Sequence, residues 1–146
     1  MDQLVNSDGT QRNTIVGKTI SIERTFTPED VVAFGKLSRD TNAIHYNEAS
    51  ALVGPVHAMS VPGFLSSMMF SELFGRVFPG DGTLYVKQEF RFRAPMFPGK
   101  AYRATAKFIR HLPIRHWATV VTTIRDVETE QITIDGEAII KHQERI

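Results

Sequence analysis

The stretch VPGFLSSMMFSELFGRVF, Val61 to Phe78, constrains the fold more than any other part of the chain. Phe64, Leu65, Met68, Met69, Phe70, Leu73, Phe74 and Val77 leave almost no polar face, so the helix they predict must be covered on nearly all sides. From Pro62 to Val77 such a helix would run about 24 Å at 1.5 Å per residue before PGDG ends it. The cover comes next in the chain. TLYVKQEFRFRA, AYRATAKFIRH, HWATVVTTIRDV and QITIDGEAIIKH all read as strands. In the first, Leu84, Val86, Phe90 and Phe92 fall on one face and Tyr85, Lys87, Glu89, Arg91 and Arg93 on the other. PMFPGK, LPIR and ETEQ form the turns, and connections this short predict antiparallel neighbours.

Upstream, KTISIERTF alternates at Ile20 and Ile22 and predicts another strand. TPED then starts a helix, with Thr27 as cap, Pro28 in the first position and two acids in the first turn. That helix carries Val31, Val32, Phe34 and Leu37 and stops near Ser38, and EASALVG adds a short helix closed by Gly54. Residues 1–16 are polar and without period, a tail before a single domain of residues 17–146. At 146 residues and 42% hydrophobic the chain can bury one core. The expected fold is α+β: a curled antiparallel β-sheet wrapped around a long buried central helix. A cone of helices capped by a curved sheet fits less well, because a strand precedes the first helix and the apolar helix has no wet side. One sheet cannot hide that helix completely, so a homodimer is expected to cover the open flank.

The 17 basic and 16 acidic side chains are mixed along the chain and leave a net charge of +1, which argues against nucleic-acid binding or membrane adsorption. No apolar run reaches the ~20 residues that would span a bilayer. The absence of cysteine excludes disulfides and thiolate chemistry. The N-terminal MDQLVNSDGTQRN lacks the regions of a secretory signal. An intracellular location follows, cytoplasmic, or mitochondrial if a transit peptide precedes the sequence.

Chemistry concentrates in SRDTNAIHYNEAS, where Asp40, Asn42 and His45 lie within six positions. Serine, asparagine and glycine would satisfy a connector of that length without a base. A turn-capping Asp40 and a satisfied polar His45 account for the spacing as well as an acid/base pair does. Two further features bear on the choice. Pro62 and Gly63 open the apolar helix, whose first amides lack partners within it and can hold a developing oxyanion. Gly63, Ser67 and Ser71 draw a small-residue stripe along it, either a close-packing face or the wall of a slot. His57, His111, His116 and His142 show no metal-ligand spacing, and no metal is expected. Arg91, Arg93, Arg103 and Lys107 suit a solvated outer face, or a local contact with an anionic partner.

From about residue 17 to 142 the chain resembles the MaoC-like group of hot-dog-fold proteins, and within it the R-specific enoyl-CoA hydratases. DTNAIHYNEASA is similar to the family stretch Asp-x-Asn-Pro-x-His-x-Asp, VPGFL to His-Gly-Met-Leu, and FSELFG to a Phe-Ser segment. FPGDGTLYVKQEFRFRAPMFPGK is similar to the strand and turn that follow. The resemblance implies a hot-dog fold, Asp40 and His45 as the catalytic acid/base pair and Gly63 as the oxyanion donor. Asn42, Pro62, Ser67 and Ser71 would line the substrate site. Ala43 replaces the usual proline, Asn47 the usual aspartate, and Pro62 a histidine, the last bearing on the oxyanion hole and on the choice of thioester.

The implied reaction is reversible hydration of a trans-2-enoyl-CoA or enoyl-carrier-protein thioester to the (R)-3-hydroxyacyl thioester. No separate cofactor is expected, since coenzyme A or phosphopantetheine arrives with the substrate. A hot-dog acyl-thioesterase and a non-catalytic acyl-thioester-binding module are the alternatives.

Overall fold

The computed structural model describes residues 15–54 and 56–146. Strands β1 (Thr19–Thr25), β2 (Leu84–Phe92), β3 (Ala101–Leu112), β4 (Trp117–Asp126) and β5 (Ile132–Lys141) form one antiparallel sheet in the order β1-β3-β4-β5-β2. Helices α1 (Pro28–Ser38), α2 (Ala43–Tyr46) and α3 (Glu48–Val53) follow β1, and α4 (Gly63–Ser67) and α5 (Met69–Glu72) precede β2. Thr27 caps α1 as its sequence predicts: its side chain accepts from Asp30 N while Thr27 N donates to the Asp30 carboxylate. Gly54 closes α3.

The apolar run lies against the sheet, burying Leu65, Met69, Phe70, Leu73 and Phe74. Ala104 and Ala106 on β3, Ala118 on β4 and Ala138 on β5 bury small side chains in the same core as these bulky ones. Phe70 stacks on Phe90 at 5.7 Å between ring centroids, and Phe74 meets Tyr85 edge-on at 5.6 Å.

Five details differ from the sequence reading. The central helix is segmented. Ser66 Oγ donates to Pro62 O and Ser67 Oγ to Phe64 O, competing with the helical ladder, and around Met68 the backbone bonds span three residues: Met68 N to Leu65 O and Ser71 N to Met68 O. Leu73–Val77 then form a π turn, in which Phe78 N reaches Leu73 O at 3.1 Å. Pro62 is the N-cap, not the first helical residue, so Gly63 begins α4.

The expected alternation of β2 fails before Lys87. Tyr85 pairs with Ile140 and Lys87 with Ile139, so Val86 is an extra residue in the ladder, and Tyr85 joins Phe90 and Phe92 on the helix side while Leu84 turns away. PMFPGK does not join neighbours either: β2 pairs with β5 and β3 with β1. Residues 93–100 instead cross the sheet from the edge strand β2 to the inner strand β3, tied by Val61 N to Met96 O, Phe97 N to Tyr102 Oη and Gly99 N to Phe26 O. Eight residues can reach roughly 26 Å, ample for three strand spacings of about 4.8 Å. Lastly, Ile15 is buried in the core, so the chain joins the domain before residue 17; the rest of the expected tail, residues 1–14, lies outside the described residues.

The expected open flank is present. Phe64 is 73% exposed, and Met68, Leu84, Val86 and Phe92 are also exposed.

Candidate active site

The segment after α1 is built from side chains that cap their own backbone. Arg39 takes the left-handed conformation (φ 59°) and ends the helix. Asp40 Oδ1 then accepts from Asn42 N at 2.9 Å, Asn42 Oδ1 accepts from Ile44 N at 3.4 Å, and Asn47 Oδ1 accepts from Ser50 N at 2.9 Å. These turns wind Ala43–Tyr46 into a single helical turn that the sequence reading treats as loop. Asn42 is thus the cap of α2, its side-chain oxygen spent on the backbone of that turn. The half-buried His45 projects from that turn.

His45 Nδ1 lies 2.8 Å from Ser60 O. A carbonyl only accepts, so Nδ1 carries the proton and Nε2 of the neutral ring keeps its lone pair. That is the tautomer a general base needs. His45, Ser60, Gly63, Ser66, Phe92 and Arg93 line one cavity of about 310 Å³. Gly63 begins α4, which has no side-chain cap at its N-terminus. A Cβ at Gly63 would stand 2.9 Å from the Phe92 ring, so the glycine lets Phe92 close on the cavity wall.

Asp40 lines a different hollow, of about 410 Å³, with Val32, Gly35, Lys36, Thr41 and Tyr46. Between the two lies an apolar hollow of about 470 Å³ that includes His45, Tyr46, Val31, Val32, Met59 and Phe97. His45 therefore borders two of the three spaces and Tyr46 the other adjoining pair. Ser67 and Ser71 lie elsewhere, facing Met68, Tyr85, Val86 and Gln88 between the central helix and β2, and the buried Pro62 supplies the carbonyl that both Ser66 N and Ser66 Oγ engage. The structure brings His45 and Gly63 to one cavity, sets Asp40 in an adjoining hollow, and separates Ser67 and Ser71 from both.

Sequence reasoning missed Ser60, Ser66 and Tyr46. Ser66 falls outside the four-residue stripe, and Ser60 acts through its carbonyl, which leaves no signature in a side chain. Three of the other four histidines serve the backbone: His57 Nδ1 lies 3.0 Å from Leu52 O, His116 Nδ1 2.9 Å from Ile146 O, and His142 Nε2 2.8 Å from Asp81 O, whereas His111 Nε2 is buried with no hydrogen-bond partner among the described residues.

A five-stranded antiparallel sheet packed on a central apolar helix, with an imidazole and a helix start sharing one cavity, has the architecture of hot-dog proteins. The (R)-hydratase from A. caviae has this architecture, superposing with a TM-score of 0.84 at 29% identity over 90% of this chain and 98% of that one. The profile of the MaoC like domain matches residues 10–132, and the chain belongs to that family. It is 32% identical to an (R)-specific enoyl-CoA hydratase of Rhodospirillum rubrum over 124 residues, 85% of each chain. It is also 30% identical to a mitochondrial 3-hydroxyacyl-[acyl-carrier-protein] dehydratase of Arabidopsis thaliana, over 84% of this chain and 74% of that one. No helix among the described residues is long and apolar enough to cross a membrane.

Proposed function

We propose that the chain is a hydro-lyase of acyl thioesters that adds water to a trans-2-enoyl thioester, or removes it from the (R)-3-hydroxyacyl thioester. The observation that carries this reading is the His45 ring, held by Ser60 O at Nδ1, in the cavity that Gly63 also lines. In the hydration direction His45 Nε2 and the Asp40 carboxylate are the two acid/base groups that handle a water molecule. One O–H bond breaks as its proton passes to one of these two groups, oxygen bonds the β-carbon, and the alkene electrons move onto the thioester oxygen as an enolate. The amide of Gly63 stabilises that oxyanion, and the α-carbon then takes up a proton as the carbonyl re-forms. Coenzyme A or phosphopantetheine enters as the handle of the substrate, with no separate cofactor. A chain without cysteine suits the reducing interior of a cell, cytoplasmic or mitochondrial.

The test is a mixture of the protein with crotonyl-CoA, followed both by conjugated enoyl absorbance and by thiol release. Loss of absorbance without thiol, giving (R)-3-hydroxybutyryl-CoA on chiral analysis, is the expected result. Thiol release would make the protein a thioesterase, and no change in either signal would leave a binding module.

The working unit is a homodimer. Phe64 and Met68 on α4 and its end, with Val86 on edge strand β2, expose apolar side chains beside an unpaired strand edge, the kind of surface a second copy covers. Sedimentation should give twice the 16.4 kDa chain mass. A monomer at micromolar concentration would refute the pairing.

A further inference from the structure

Tyr46 is a polar group that the acid/base reading leaves unused. It follows His45 on α2, and the two rings meet edge-on with centroids 6.0 Å apart. The phenol lies against α1 at Gly35, where a Cβ would stand 2.7 Å from the hydroxyl oxygen. Only a residue without a side chain leaves room for it there. The hydroxyl is buried and has no hydrogen-bond partner among the described residues. An orphaned buried donor is costly, and its persistence beside a candidate site calls for a reason.

The surroundings supply an acceptor. Tyr46 lines the hollow of Asp40 as well as the hollow of His45. Asp40 Oδ1 is engaged by Asn42 N, while Oδ2 has no hydrogen bond among the described residues. Burial and the negative charge of Asp40 both raise the Tyr46 pKa, so the phenol stays a donor. Lys36 of α1 is the other charged group lining that hollow, Arg39 precedes Asp40 in the chain, and His45 shares α2 with Tyr46.

We propose that Tyr46 is a positioning residue, whose hydroxyl donates to the Asp40 carboxylate as the site closes on a thioester and so holds that carboxylate towards His45. This rests on the acid/base roles given to Asp40 and His45 above. A donor to the carboxylate favours its ionised form, which is the form that accepts a proton from water.

The test is Tyr46→Phe, which keeps the ring and removes only the oxygen. Its kcat for crotonyl-CoA hydration is expected to fall at least tenfold with KM within about twofold, and the acid limb of its kcat profile, which reports the substrate complex, to move to higher pH. Thermal stability should hold or rise, since an unpaired buried hydroxyl is removed; a merely structural tyrosine would lose stability and leave the acid limb in place. A variant with wild-type kcat and an unmoved acid limb overturns the proposal. A carbon-13 titration of the Asp40 carboxyl, with and without (R)-3-hydroxybutyryl-CoA, decides independently of turnover: a higher midpoint in Tyr46→Phe supports the contact, and identical midpoints under both conditions refute it. If instead Asp40→Asn keeps full activity, the acid/base reading fails, and the titration still decides the contact.

Discussion

Asp40→Asn is expected to lower kcat for enoyl thioester hydration about 10³-fold, within the range that general acid/base groups contribute. Asparagine removes the charge and the basicity but keeps the shape and an acceptor oxygen. The turn bond that Asn42 N makes to Asp40 Oδ1 at 2.9 Å therefore survives. Stability should change by no more than about 0.5 kcal/mol, the usual range for surface substitutions. Steady-state kinetics and a thermal melt, run side by side, separate the two effects. A variant that hydrates crotonyl-CoA at the wild-type rate removes Asp40 from the chemistry, and a variant that loses activity only because it melts removes the inference drawn from it.

Gly136→Ala is expected to destabilise the fold by about 3 kcal/mol, lowering the melting midpoint by roughly 6–12 °C. Gly136 on β5 faces Phe90 on one neighbouring strand and Thr122 on the other. A Cβ there would fall on the carbonyl oxygen of Glu89 and stand 2.9 Å from its carbon, contacts with backbone that cannot swing aside. β2 would have to part from β5 at the residues that aim Phe90 and Phe92 at the central helix, so the cavity beside Gly63 should loosen with the sheet. Gly63→Ala makes the contrast. There the neighbour is the Phe92 ring at 2.9 Å, a half-exposed side chain able to give way, and the loss should be smaller. Chemical denaturation of both variants checks the order, and equal midpoints for wild type and Gly136→Ala would show that the strands part without cost.

Most of the elements were legible in the sequence because each rests on local patterning. The Thr27 cap and Pro28 mark the start of α1, Gly54 marks the end of α3, and all five strands lie where period-two segments predict. The failures were non-local. The extra residue at Val86 reverses the facing of Leu84 and Tyr85, and nothing in LYVK announces it, because the bulge is defined by the partner strand. The crossing at PMFPGK has the composition of a tight turn but serves as a strap, since its partners Phe26 and Val61 lie far away in the chain. The single turn of α2 was hidden for a different reason: four residues are too few to show a period, and its side-chain caps act as readily in a loop.

The site divides along the same line. Residue types and spacing drew attention to Asp40, His45 and Gly63 but fitted a capping turn equally well, and the acid/base and oxyanion roles came from the resemblance to the hydratase family. Only the tertiary structure decided how they stand to one another. It sets His45 Nδ1 against a carbonyl 15 residues away, opens Gly63 to the same cavity, and sets Asp40 beyond Tyr46 in the next hollow. Chain spacing specifies which chemical groups are available, whereas tautomer, facing and access depend on atoms that distant segments bring within a few ångströms.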